Sequence, residues 1–198
     1  MADIWLMRHA HYDGHLPGHH AHPDAPLSDE GRDQARRAAH SLPRGIANIL
    51  TNTMPRAQET AEIIGRYAGL PAIAASDIFT EWQAPSSVLG KGATDYPPSY
   101  RVWREQRLAR PDLRYEDAES LLELHHRATE SAALLTLTAR LGGVLLISHT
   151  VFLGVLTRLP EGPSAFRAAV GQPWGFTERR RAPSARQTAQ LPQQGLDQ

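Results

Sequence analysis

The chain has 198 residues, 41% of them hydrophobic, enough for one globular domain with a sizeable core. Lysine plus arginine and aspartate plus glutamate each number 21, so the net charge is zero with neutral histidine, and nothing global favours nucleic acid or an anionic membrane. No cysteine is present, which excludes disulfides, thiolate catalysis and cysteine-built zinc sites, and no apolar run nears the ~20 residues that span a bilayer.

The opening Met-Ala-Asp-Ile-Trp has no basic segment leading into an apolar run, so it does not read as a signal peptide, and a soluble cytoplasmic protein is expected. Ile4–Met7 is a short apolar run that stops at Arg8-His9 and predicts a buried strand. Residues 11–26 carry five histidines with Gly, Pro and Asp, without period, and predict a loop. Ser28 is the expected N-cap of a helix over Asp29–Leu42. Ile46–Leu50 predicts a second strand, and Pro55 starts a helix that Gly69 ends. Leu70–Ala75 is a candidate third strand. Pro85–Arg114, rich in Pro, Gly, Tyr, Trp and Arg, predicts an irregular insertion acting as a lid, with one short helix near Tyr100–Leu108. Ala118–Leu141 predicts a long helix, and Val144–Ile147 a strand that stops at Ser148-His149. The alternation argues a three-layer α/β/α fold on a mostly parallel sheet, in one domain over residues 1–171. Residues 172–198 predict a polar, partly disordered tail without a final strand.

Two strand ends each deliver a histidine, His9 and His149. The junction after Leu50 delivers Arg56. In open α/β sheets ligands sit at the carboxyl ends of strands, so Arg8, His9, Arg56 and His149 can meet in one cleft. Those residue types suit a phosphoryl group. Guanidinium forks bind its oxygens with charge-assisted hydrogen bonds. A neutral imidazole can attack phosphorus, and a second can donate to a phosphoryl oxygen. The leaving alkoxide needs an acid, and Glu81, at the mouth of the insertion after Ile78-Phe79, is a candidate, with Glu119 or Asp117 next.

Five segments in order resemble the histidine phosphatase, or phosphoglycerate mutase-like, superfamily. They are Leu6-Met7-Arg8-His9-Ala10, the run Pro26–Ala35, the run Asn52–Ala61, Ala118-Glu119-Ser120 with Arg127 beyond, and Ser148-His149-Thr150. The resemblance spans about residues 4–160. It implies that His9 carries the phosphoryl group, that Arg8, Arg56 and His149 line the phosphate pocket, and that Glu81 is the general acid. Two arginines and two histidines meet the phosphate charge, so no cofactor and no metal are expected, and the substrate is expected to be a small phosphorylated metabolite or a phosphoprotein whose identity the sequence does not give. Ala10 and Thr150 stand where the family has Gly, and His15 stands where an Asn is common. Trp82 follows Glu81 where mutases carry a second Glu, which argues for hydrolysis over a phosphoglycerate mutase.

Glu119 and Ser120 read as the charge and cap of the long helix, and Arg127 as a surface or ion-pair residue. Two rival readings stay open. The run from His9 to His22 resembles, one residue out of step, the His-x-His-x-Asp-His segment of metal-dependent hydrolases, since imidazole suits zinc. A catalytically silent phosphate-binding module is the other. Oligomeric state is not legible.

Overall fold

The computed structural model describes residues 2–71 and 74–183. In chain order the elements are β1 (Ile4–Arg8), α1 (Asp29–His40), β2 (Ile46–Thr51), α2 (Pro55–Ala68), β3 (Ala74–Ala75), α3 (Pro98–Gln106), α4 (Leu121–Thr138), β4 (Gly143–Ser148), α5 (Thr150–Leu156), α6 (Ala165–Gly171) and β5 (Arg179–Arg181). The sheet order is β3-β2-β4-β1-β5. The first four strands are mutually parallel, and β5 runs antiparallel to β1 at the edge.

Period-two alternation divides the core between the two faces of the sheet. Met7, Ile49, Leu145 and Ile147 pack against alanines and Ile64 of α1 and α2. Leu6, Val144 and Leu146 face the other way, towards α4, α5, α6 and the insertion. Central β4 is buried at all six positions, the reason it reads as an unbroken apolar run.

Local chemistry sets the helix starts. Ser28 caps α1 by accepting from the Gly31 amide at 3.1 Å. Gly31 is also a contact point, because a Cβ there would lie 1.9 Å from the His11 carbonyl oxygen. Gln34, one turn on, accepts from the His11 amide at 2.9 Å. The Ser-Asp-Glu-Gly start of α1 thus anchors the histidine loop. Ser120 and Glu123 form a full capping box on α4. Gly69 ends α2 at φ 65°, a left-handed conformation that favours glycine.

Several sequence expectations are corrected. The long helix spans Leu121–Thr138 and not Ala118–Leu141, since Ser120 supplies its cap. The short helix starts two residues earlier, at Pro98, and ends at Gln106. Strand β3 covers only Ala74–Ala75; residues 72 and 73 of the expected strand lie outside the described residues. The boundary at 171 falls short of the fold. Trp174 is buried, β5 pairs Trp5, Leu6 and Met7 with three consecutive arginines, and the Ala182 amide donates to the Ile4 carbonyl at 2.9 Å. An edge strand exposed on one side tolerates Arg179-Arg180-Arg181, which hides it from any hydrophobic pattern. Residues 184–198 of the tail lie outside the described residues. The insertion, despite weak periodicity, joins the core through Val88, Tyr96, Tyr100 and Trp103. No described helix is long and apolar enough to cross a membrane.

Candidate active site

The register of β1 against β4 builds the site. Arg8 pairs with Ser148, so the residues that follow, His9 and His149, leave adjacent strands side by side. The His9 amide donates to the Ser148 carbonyl at 2.9 Å. The two rings stand 4.7 Å apart between centroids, and both residues are buried. The neighbouring strand β2 delivers Arg56 at the start of α2. Here Asn52 turns the chain by accepting from the Met54 amide at 2.8 Å. All four residues expected at the phosphate pocket therefore line one cavity of about 850 Å³ at the carboxyl ends of the strands, and Glu81 lines it too.

The tautomer of His9 follows from its partners. Its Nδ1 lies 2.7 Å from the Ala10 carbonyl oxygen, which can only accept, so Nδ1 carries the proton. The lone pair is left on Nε2, where it receives the Arg56 Nε–H at 3.3 Å. Burial, then Arg56 and Arg8, holds the ring well below the ordinary imidazole pKa of 6.5. His149 is lowered in the same way by burial and then by His9 and the two arginines. Its Nε2 is buried with no protein partner among the described residues.

Among the described residues neither arginine has a carboxylate partner. Arg56 Nη1 donates to the Pro23 and His22 carbonyls at 2.9 and 3.2 Å, tying the histidine loop to α2. Arg8 Nη1 donates to the Trp174 carbonyl at 2.5 Å, and its guanidinium lies 3.9 Å over the Phe176 ring. Arg8 Nε is buried without a partner among the described residues. Neither guanidinium is within 4.0 Å of a described acid, and the two face a common cavity. Such an arrangement attracts an anion with several acceptor oxygens.

Glu81 sits at the start of α5. Its carboxylate accepts from the Val151 amide at 3.0 Å, the Phe152 amide at 2.7 Å and the Trp82 amide at 3.0 Å. Burial raises its pKa, and these amides work against the rise. Two other acids nearby, Glu119 and Asp117, are occupied. Glu119 is held by Arg127 at 2.8 and 2.7 Å, and Arg127 also donates to the Ile78 and Thr80 carbonyls. Asp117 is bound to Ser86, which lowers its pKa. The histidine loop does not converge. His11 bonds to Ser28, His15 to Tyr12 and His19 to the Pro17 carbonyl. Among the described residues no group of three or more His, Asp or Glu is placed to hold a metal ion.

Trp174 and Phe176 were not foreseen at the site. Their one sequence signal is two aromatics spaced by two in Pro173-Trp174-Gly175-Phe176.

Residues 4–173 match the family model of the histidine phosphatase superfamily, branch 1. The chain belongs to that superfamily. As a histidine phosphatase family member it is an enzyme of phosphate-ester chemistry. It is 26% identical over 170 residues to a probable phosphoglycerate mutase GpmB of Serratia proteamaculans, covering 84% of this chain and 78% of the relative. It is 30% identical over 171 residues to a protein of the same name from Klebsiella pneumoniae, with the same coverage. Among solved structures it superposes on a mycobacterial glucosyl-3-phosphoglycerate phosphatase complexed with VO3, at TM-score 0.73 and 21% identity over 91% of this chain and 90% of that one. It also superposes on the alpha-ribazole phosphatase of Shigella flexneri, at TM-score 0.73 and 18% identity over 90% and 89%. These likenesses establish the shared fold.

Proposed function

We propose that this histidine phosphatase family member is a phosphomonoester hydrolase working through a covalent phosphohistidine on Nε2 of His9. The observation that carries the reading is the His9 lone pair, fixed by the Ala10 carbonyl and flanked by two guanidiniums without acid partners among the described residues. Attack by Nε2 forms the N–P bond as the ester P–O bond breaks. Arg8, Arg56 and a proton-donating His149 Nε2 stabilise charge on the equatorial oxygens. Glu81, protonated, gives its proton to the departing alkoxide. In the second half, ionised Glu81 takes a proton from water as its oxygen attacks phosphorus, which releases phosphate and restores His9.

The charge on the ester is met by protein groups, so the mechanism runs without a divalent ion. The cavity volume falls in the range of about 300–1,000 Å³ usual for small ligands, which favours a phosphorylated metabolite over a phosphoprotein. Trp82, buried against Trp103 and Phe166, stands beside Glu81 where a second carboxylate would serve a mutase, which favours transfer to water.

The test is acid-labile, base-stable labelling from a radioactive phosphate ester, trapped by alkaline quench in chelator. Wild type is expected to label and to release inorganic phosphate, and His9→Ala to do neither. Zinc-dependent turnover without labelling would favour the metal-dependent rival, and tight phosphate binding without turnover the silent module.

A further inference from the structure

Arg56 has one nitrogen that meets only a weak acceptor. Its Nε donates to His9 Nε2 at 3.3 Å, and its Nη1 donates to the Pro23 and His22 carbonyls at 2.9 and 3.2 Å. The third nitrogen, Nη2, meets the sulfur of Met54 at 3.3 Å. Nε and Nη2 share one edge of the planar guanidinium, the edge a bidentate fork presents to a phosphoryl group beside His9. A thioether accepts hydrogen bonds only weakly, so Nη2 can exchange the sulfur for a phosphoryl oxygen at little cost.

The main chain holds Met54 in this place. It is the residue that precedes α2. Its amide donates to Asn52 Oδ1 at 2.8 Å, and its carbonyl accepts from the Ala57 and Gln58 amides at 3.0 and 3.1 Å. The residue is partly buried and lines both the cleft and a second cavity beside it, so its side chain is open to small solutes. Met7, by contrast, is fully buried in the sheet core. The chain has no cysteine, so no thiol of its own would react with an oxidant first.

We propose that Met54 is an oxidation site, and that its sulfoxide closes the Arg56 edge to phosphate. The oxidant is a hydroperoxide, here hydrogen peroxide. The sulfur lone pair attacks one peroxide oxygen, and the S–O bond forms as the O–O bond breaks. Sulfur gives up two electrons, the proton on the transferred oxygen passes to the departing hydroxide, and water leaves. The sulfoxide oxygen is a polar acceptor one bond from a sulfur that already touches Nη2. It claims the N–H that a phosphoryl oxygen would need. Methionine sulfoxide reductases reverse the change, so the device can be reset. The inference rests on the phosphate role proposed for Arg56.

The experiment treats the full chain with hydrogen peroxide, removes the peroxide, and locates the added oxygen by peptide mass spectrometry. Equilibrium binding of inorganic phosphate is measured before and after. Wild type is expected to gain one oxygen at Met54 and to lose about 10- to 100-fold in phosphate affinity, the range for a hydrogen bond to a charged group. Methionine sulfoxide reductase with a thiol should restore it. In Met54→Leu the ratio of affinities, read within the variant, should stay near one through the same treatment. Met54→Gln, which offers an amide oxygen to Nη2, should bind phosphate weakly with no oxidant present. No oxygen gained at Met54, sulfoxide there with unchanged phosphate affinity, or an equal loss in Met54→Leu would each overturn the proposal. Phosphoenzyme trapped from the untreated protein would in those cases leave the hydrolase reading standing. No phosphoenzyme and no turnover in the untreated protein would take down both.

Discussion

Arg56 Nε–H points at His9 Nε2 from 3.3 Å, while the opposite nitrogen of the same ring is held by the Ala10 carbonyl. One imidazole is thus fixed in tautomer from one side and in direction from the other. The same guanidinium reaches back through Nη1 to the Pro23 and His22 carbonyls. It binds the loop and orients the proposed nucleophile with one planar group, which an ammonium cannot do. Arg56→Lys should therefore lower kcat/KM by roughly 10²-fold, near the cost of two charge-assisted hydrogen bonds. Amide exchange over residues 20–25 should quicken in that variant. Wild-type exchange there, or activity within a few-fold of wild type, would mean that the positive charge alone suffices.

The second guanidinium depends on the segment after α6. Arg8 lies 3.9 Å over Phe176 and donates to the Trp174 carbonyl. Phe176→Leu keeps an apolar contact and removes the ring quadrupole, so apparent affinity for phosphate or vanadate should weaken by roughly 2- to 10-fold. Trp174→Ala should act on stability instead, because the residue is 1% exposed. Its loss should cost about 3–5 kcal/mol in denaturant unfolding. If Phe176→Leu leaves phosphate affinity unchanged, the stack on Arg8 is only packing.

The buried histidines set a pH dependence of stability. His9 and His149 have folded pKa values well below 6.5, and His20 is at about 4. Below pH 6.5 the unfolded chain binds protons at these positions that the folded chain refuses, so stability falls as pH drops through that value. Glu81 works in the opposite sense. Its raised pKa makes the folded chain bind a proton above pH 4.5 that the unfolded chain has lost. Three histidines outweigh one carboxyl, so urea unfolding should show declining stability from pH 7 to pH 5. His20→Asn should shallow that slope. A flat profile over that interval would mean that the rings are protonated in the folded state.

Much of this site was legible because its chemistry sits at strand ends. The runs Ile4–Met7 and Val144–Ile147 stop abruptly at polar pairs, and the β1–β4 register turns those stops into neighbours. Arg56 was legible because an arginine in the first turn of a helix runs against the helix dipole and asks for another reason. What escaped was held by contacts that leave no periodic trace. Strand β5 is three arginines, and its partner is named only by the backbone ladder. Trp174 reaches the site through main-chain atoms, its amide donating to Thr150 Oγ1 at 2.8 Å and its carbonyl accepting from Arg8. The insertion reads as irregular because stacked rings such as Trp82 on Trp103 hold it, at an interplanar angle of 7°, and not a helical stripe.

Glu81 offers the sharpest separation of chemistry from architecture. It lines the cleft, and burial raises its pKa, as a proton donor requires. Yet both its oxygens accept from amides at the start of α5, the helix that follows His149 directly. Two roles are therefore possible for one carboxylate, and Glu81→Gln disturbs both, since its amide nitrogen would face a backbone N–H. The leaving group tells them apart. An alkyl alkoxide must be protonated as it departs, whereas dinitrophenolate leaves unaided. If Glu81 is the acid, Glu81→Gln should slow an alkyl phosphate by about 10²-fold or more and dinitrophenyl phosphate far less. If it only holds α5 and His149 in place, both substrates should slow alike, because the phosphoryl charge stabilisation proposed for His149 is needed whatever the leaving group. His9→Ala supplies the comparison, losing both substrates together since attack is common to them. A Glu81→Gln variant with equal losses on the two esters would move the proton donor elsewhere and leave Glu81 as the residue that positions His149.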